Sequence, residues 1–212
     1  MKKYLLFDND GVLVETEMWY YEANCMALAE LGYDLPFERY MYMMAHGITI
    51  WQEPLQNGVS QSVVDNAREK RNLYYQEFLK TKHLTIESVE EVLQHLSSKY
   101  RMAIVTTSRR VDFELIHSKT NIVKYMDFVL CEEDYPRAKP YPDPYLKAVE
   151  LFGCQKNEAL VIEDSQRGLT AAVSAGIECV TVKNAFTQTH DFSKSTYKID
   201  TIRDLVELLK KI

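Results

Sequence analysis

Short apolar runs alternate with amphipathic stretches along most of the chain. Residues 3–7, 102–106, 128–131, 159–162 and 179–182 are apolar runs rich in β-branched or aromatic residues, and they predict strands. Several are apolar on both faces, as strands buried in a parallel sheet are. Helix signals lie between them. Ser88 followed by Glu91 predicts a capping box that opens a helix through Leu96. Asp143-Pro144 suits the N-cap and first turn of a helix that stops at Gly153. Ser165 or Gln166 opens another, which ends at Ala175 and is closed by Gly176; residues 201–211 predict the last. This alternation of strand and helix predicts an α/β fold built on a doubly wound parallel sheet.

One segment breaks the alternation. Residues 17–83 contain no convincing strand. Trp19, Ala23, Ala27 and Leu31 share one helical face that ends at Gly32, and residues 61–79 predict a second long helix. The chain therefore divides into a core, 1–16 with 84–212, and an inserted helical domain, 17–83.

Composition narrows the class. A chain of 212 residues matches one domain, or one domain with an insertion. With 46% hydrophobic and 26% charged residues it is neither disordered nor fibrous in composition. Its 25 Lys and Arg against 31 Asp and Glu give a net charge of −6, which argues against general binding of nucleic acid or an anionic membrane. No apolar run approaches the ~18 residues of a membrane helix. The start, MKKYLLFDND, is basic, but Asp8 cuts the apolar stretch too soon for a signal peptide. The expectation is a cytoplasmic monomer or weak homodimer, with a small-molecule substrate and no nucleic-acid or membrane partner. Cys25, Cys131, Cys154 and Cys179 lack metal-site spacing and read as small buried hydrophobes in a reducing compartment.

The chemistry gathers where strands end. The first strand runs into Asp8-Asn9-Asp10-Gly11 and the fourth into Glu163-Asp164-Ser165. In open α/β sheets ligands bind outside the carboxyl ends of the strands. Asp, Asn and Gly also favour plain surface turns, and acids suit helix N-termini, so neither segment alone decides the matter. If the two ends lie side by side, up to four carboxylates converge. Two unit charges roughly 4 Å apart repel by about 4 kcal/mol at an effective dielectric of 20, so such a cluster needs a cation or raised pKa values. All-oxygen ligands of short reach suit Mg²⁺, which binds through one or two carboxylates together with a substrate phosphate. Thr106-Thr107-Ser108 adds hydroxyl and N–H donors after the second strand. Lys139, in Ala138-Lys139-Pro140-Tyr141-Pro142-Asp143, is a cation on a backbone restricted by prolines.

In their order and spacing these pieces resemble the haloacid dehalogenase superfamily, in the branch containing β-phosphoglucomutase and phosphoglycolate-phosphatase-like enzymes. The resemblance rests on DNDGVLVETE at 8–17, VTTS at 105–108, RAKPYPDP at 137–144 and IEDSQRG at 162–168. It spans essentially the whole chain and implies a Rossmann-like core with the insertion as a helical cap. It further implies that Asp8 is the nucleophile that forms an aspartyl phosphate. Asp10 is then the general acid and base. Mg²⁺ is held by Asp8, the main-chain carbonyl of Asp10 and Asp164, with Glu163 acting through a bound water. Thr106 holds the transferring phosphoryl oxygens, with Thr107 and Ser108 beside it, and Lys139 offsets the charge. These roles suit phosphoryl transfer, which mainly requires positioning and charge stabilisation.

Asn9, Glu15, Tyr141 and Thr85-Ile86-Glu87 depart from the family pattern without removing a catalytic group. The second acid, Asp10, favours phosphate chemistry over dehalogenation, because a halide needs no proton. Gly47 is followed by Ile48-Thr49-Ile50, and Trp19-Tyr20-Tyr21 occupy the first insertion helix, so the groups that mark the mutases are missing. The resemblance thus implies a phosphatase of small phosphorylated metabolites, with a phosphosugar mutase as the alternative. A binding module without turnover is disfavoured, because Asp8, Asp10, Lys139 and Asp164 are all intact. Trp19, Tyr20, Tyr42, His46 and Trp51 are the cap residues placed to touch substrate, although aromatic residues at helical spacing more often form core.

Overall fold

The computed structural model describes residues 1–212. Leu5, Leu6 and Phe7 are all fully buried, as the two-sided apolar pattern of β1 (Tyr4–Phe7) requires. The same holds for β2 (Arg101–Val105) after its first residue and throughout β4 (Ala159–Glu163) and β5 (Cys179–Val182). With β3 (Phe128–Leu130) and β6 (Tyr197–Ile199) they form one six-stranded sheet in the order β3-β2-β1-β4-β5-β6, every pair parallel. The chain moves outward from β1 to β3, then returns to β4 on the other side of β1. That reversal creates the crevice in which open α/β sheets bind ligands.

Register sets the site. Phe7 pairs with Ile104 on one side and Ile162 on the other. The next residues along, Asp8, Val105 and Glu163, therefore meet at one carboxyl edge. The Asp8 amide continues the ladder, donating to the Ile162 carbonyl at 2.8 Å.

The chain forms two units, Met1–Glu15 with Leu84–Ile212, and Thr16–His83. In the first, α7 (Asp143–Phe152) and α8 (Gln166–Ala175) cover one sheet face, and Tyr145, Ala148, Leu169 and Ala172 pack onto Leu6, Val105 and Val161. The second unit is entirely helical. It contains α1 (Glu17–Ala29), α2 (Phe37–His46), α3 (Gln52–Gln56) and α4 (Gln61–Thr81), around a core of Ala27, Leu28, Tyr40, Met43, Trp51, Val64 and Ala67. Of the predicted α1 face, Ala23 and Ala27 are fully buried and Trp19 and Leu31 partly so; the helix stops at Ala29, short of Leu31.

Several local expectations are corrected. The helix after Ser88, α5 (Val89–Ser97), exists, but no capping box opens it. Ser88 adopts a left-handed φ of 71°, and its hydroxyl is buried without a hydrogen-bond partner. Pro142, not Asp143, precedes α7, and the Asp143 carboxylate instead takes both arms of Arg137 at 3.0 and 2.9 Å. The last helix, α9 (Asp204–Leu209), is shorter than 201–211. Strand β6 was not expected, while helix α6 (Arg110–His117) begins at the Arg109-Arg110 pair, which reads as a helix start. β6 is a three-residue edge strand without full burial, so it carries little apolar signal. No helix is long and apolar enough to cross a membrane.

Candidate active site

Lys139 is the hub of the carboxyl edge. It is 5% exposed, and its ammonium donates to Asp8 Oδ1 at 2.6 Å, Glu163 Oε1 at 2.6 Å and the Val105 carbonyl at 2.8 Å. Three strand ends thus converge on one cation. Glu163, fully buried, is engaged on both oxygens. Tyr145 donates its hydroxyl to Oε1 at 2.7 Å; the Ser165 hydroxyl and the Asp164 and Ser165 amides donate to Oε2 at 3.0, 3.2 and 3.3 Å. Such saturation is what a buried carboxylate needs.

One ammonium does not neutralise two carboxylates. Burial first, then the Glu163 charge, pushes the Asp8 carboxyl up to about 7, against the opposing pull of Lys139. Burial would raise Glu163 as well, but Lys139 and its hydrogen bonds hold it below the usual range. Burial pulls the Lys139 ammonium down, yet its two acidic partners outweigh this and the net direction is up. The ammonium stands 2.6 Å from both acids, so the charge it leaves uncompensated belongs to the Asp8 and Glu163 pair.

Asp8, Glu163 and Asp164 each place an oxygen within 4.8 Å of the others. Asp164 is 6% exposed and sits against the turn at Gly11. Gly11 has φ +81°, and a Cβ there would lie 2.1 Å from Asp164 Oδ2. Only glycine meets both demands. Asn184, just past β5, fastens the turn by donating to the Gly11 carbonyl at 3.2 Å.

Asp10 faces the β2 loop. Its Oδ2 accepts from the Ser108 hydroxyl at 2.7 Å and the Thr106 hydroxyl at 3.3 Å. Thr106 is fully buried, its own hydroxyl accepts the Ser108 amide at 3.0 Å, and its carbonyl takes the Tyr135 hydroxyl at 2.5 Å. The Thr107 hydroxyl is turned to Arg167 at 3.3 Å.

Asp8, Asp10, Thr106, Ser108, Lys139, Glu163 and Asp164 therefore form one linked group within the first unit. Trp19, Tyr20 and His46 belong to the second unit, where the two aromatic residues are engaged in its packing. Trp19 lies against Phe78, with Lys82 over its ring at 4.8 Å. Tyr20 meets Tyr75 edge-on, and its hydroxyl receives Arg71. His46 is exposed at the end of α2, stacked on Tyr42. Trp51 is core at 3% exposure. Sequence reasoning missed Tyr145, Ser165 and Asn184 as supports of the acids, and the His117 contact to Asn9 at 2.8 Å. Tyr145, two residues into α7, carried no signal beyond its helical position.

An aspartate, an ammonium and a second acid thus meet at the switch point of a parallel sheet, the place where open α/β folds bind ligands. Residues 5–182 match the model of the haloacid dehalogenase-like hydrolases, and the chain belongs to that family of enzymes. It is 28% identical over 181 residues to the putative pyrophosphatase PpaX of Caldanaerobacter subterraneus subsp. tengcongensis, covering 84% of this chain and 80% of that protein. It is 29% identical over 181 residues to a phosphorylated carbohydrates phosphatase of Thermotoga maritima, covering 82% of each. The structure of a predicted phosphoglycolate phosphatase from Haemophilus somnus superposes with a TM-score of 0.85 at 21% identity, covering 98% of both chains, a likeness of fold.

Proposed function

We propose that the protein is a Mg²⁺-dependent phosphatase that hydrolyses a small phosphomonoester through an aspartyl phosphate on Asp8. The observation that carries the reading is the buried Asp8 carboxylate, held by Lys139 at 2.6 Å, two residues before a second acid already in contact with two hydroxyls. The relatives support it, since similar chains bear the names of a pyrophosphatase and a carbohydrate-phosphate phosphatase.

In this reading an Asp8 oxygen attacks phosphorus, the bond to the leaving oxygen breaks, and a protonated Asp10 delivers its proton to that oxygen. Water then attacks the aspartyl phosphate and gives a proton to Asp10, freeing Asp8 and inorganic phosphate. Thr106, Ser108 and Lys139 orient the phosphoryl oxygens and balance their charge. The carboxylates of Asp8 and Asp164, with oxygens within 4.8 Å of one another, would hold a hard divalent cation, with the Asp10 carbonyl as the further oxygen that the family resemblance implies. Glu163, its oxygens already committed to Lys139, Tyr145 and Ser165, serves the site by fixing the ammonium. When bound, Mg²⁺ would offset the charge shared by phosphate and nucleophile. The helical unit would act as the cap that sets selectivity.

Hydrolysis of 4-nitrophenyl phosphate with Mg²⁺, and again with a chelator, tests the reading. Phosphate release should require the metal, and Asp8→Asn should lower it by on the order of 10³-fold with the fold retained. Undiminished turnover in the chelator contradicts the metal role; substantial turnover by Asp8→Asn contradicts the covalent route. A mutase would show instead a requirement for priming by a sugar bisphosphate.

A further inference from the structure

Asn9 lies between the two site aspartates and is completely buried. Its carbonyl accepts the amides of Val12, Leu13 and Val14 at 3.4, 2.8 and 3.1 Å, so the turn is built on it. Its side chain links two groups distant in sequence. Oδ1 faces His117 Nε2 at 2.8 Å, and Nδ2 donates to Asp10 Oδ2 at 3.4 Å. On its far side, His117 Nδ1 lies 2.8 Å from the Thr120 hydroxyl.

The chemistry of the partners fixes the direction of every bond. Asp10 Oδ2 is an acceptor, taking bonds from Ser108, Thr106 and Asn9, so the Asn9 amide turns its NH₂ to Asp10 and its oxygen to His117. The imidazole must then carry its hydrogen on Nε2, which leaves Nδ1 as the acceptor for Thr120. The run Thr120 → His117 → Asn9 → Asp10 is thus polarised one way, and hydrogen bonds in such a run reinforce one another. His117 is largely buried, which lowers its pKa to about 4 despite the nearby Asp10 charge. At neutral pH it donates without bringing charge to Asp10.

We propose that Asn9 and His117 are positioning residues for the proton-transferring carboxyl of Asp10. This rests on the phosphatase reading above. Ser108 and Thr106 hold Oδ2 from the β2 loop, and the phosphatase reading assigns the same hydroxyls to the phosphoryl oxygens, so substrate would compete for them. Asn9 holds the same oxygen from the turn itself. At 3.4 Å its bond is long, as catalytic hydrogen bonds often are before substrate arrives. Anchored through His117, it keeps the Asp10 carboxyl aimed when the hydroxyls turn to phosphate.

A positioning role for the acid has a signature that a packing role lacks: it matters most when the leaving group needs a proton. The ratio of kcat/KM for 4-nitrophenyl phosphate to that for phenyl phosphate reports this, because nitrophenolate departs more readily unprotonated. Asn9→Leu and His117→Leu should each raise the ratio about five-fold or more, a fraction of the 10²–10⁴-fold available to acid–base catalysis. His117→Gln can place an N–H where Nε2 was and should restore the ratio. The Asn9→Leu, His117→Leu double variant should be no worse than Asn9→Leu alone. Equal losses on both esters, an unchanged ratio, or failure of Gln to rescue while Leu impairs would overturn the proposal and leave the phosphatase reading standing. A wild type that hydrolyses neither ester overturns the phosphatase reading and this proposal with it. Should Asn9→Leu not fold, the His117 pair, outside the turn, decides alone.

Discussion

Lys139 offsets only part of the charge around it, and its removal would expose that imbalance. Replacing it by Met leaves Asp8 and Glu163 buried without their shared cation. Removing one partner of a buried pair typically costs about 3–5 kcal/mol, so Lys139→Met should destabilise the metal-free protein by that order, read from denaturant unfolding. A change within a few tenths of a kcal/mol would mean that the ammonium is not the partner of these acids. His117 makes a second prediction, with its own sign. Its pKa is depressed from 6.5 to about 4 in the folded chain, so the unfolded state binds the extra proton first as pH falls. The neutral imidazole therefore contributes stability fully above pH 6.5, and that contribution is lost as pH falls through the window down to about 4. At pH 5 the loss is about 1–2 kcal/mol, and His117→Gln should unfold with a correspondingly shallower acid limb. Identical limbs for the two proteins would place His117 in an ordinary solvated state. At this scale the sequence was legible where chemistry sits at strand ends. Asp8, Asp10 and Asp164 could be read because a buried run stops just before them, and Lys139 because prolines flank it. The pairing of His117 with Asn9 across 108 residues could not, since no local pattern encodes a contact between a turn and a distant helix end.

The joint between β4 and α8 shows how an element fixes a side chain. Ser165 caps α8, accepting the Gly168 amide at 3.0 Å while its hydroxyl reaches Glu163. The first turn of the helix thus packs directly on the acid that ends the strand, and there is no room for a side chain between them. A Cβ on Gly168 would lie 1.7 Å from Glu163 Oε1. Gly to Ala in a helix ordinarily gains about 1 kcal/mol. Here the collision should reverse the sign: Gly168→Ala should lower the melting temperature and, by moving Glu163 off Lys139, cut kcat by about ten-fold or more. A melting temperature equal to or above wild type, with kcat intact, would show that Glu163 can move freely. The Ser165 cap was legible because Ser before a helical period is a strong start signal. Ser88 looked alike and behaved otherwise, because its left-handed backbone turns the hydroxyl away from the helix amides. Spacing alone does not report backbone conformation. The same holds for β6, whose exposed Lys198 lies between two half-buried residues and which is held by pairing with β5 rather than by an apolar run of its own.

At the scale of the molecule, the insertion leaves and re-enters the core at neighbouring points. The Glu15 amide donates to the Leu84 carbonyl at 2.8 Å, and Val14 bridges Thr85 in antiparallel fashion. Every strand of the sheet, and every core acid of the site, belongs to the unit Met1–Glu15 with Leu84–Ile212. The ends of the inserted segment are therefore already closed by core contacts, and closing a loop across such ends costs little entropy whatever its length. Joining Glu15 to Leu84 through a short Gly-Ser linker should leave a core that unfolds cooperatively, with the parallel-sheet circular-dichroism signature of the parent minus the helical contribution of α1–α4. Failure to unfold as a single transition would mean that the helical unit supplies part of the sheet's stability. If that unit is the selectivity cap, the shortened protein should still hydrolyse 4-nitrophenyl phosphate in the presence of Mg²⁺ but lose its discrimination among phosphomonoesters. Discrimination unchanged from the full chain would place selectivity in the core, in residues such as the Thr107 and Arg167 pair beyond β2, and would remove the helical unit from the recognition step.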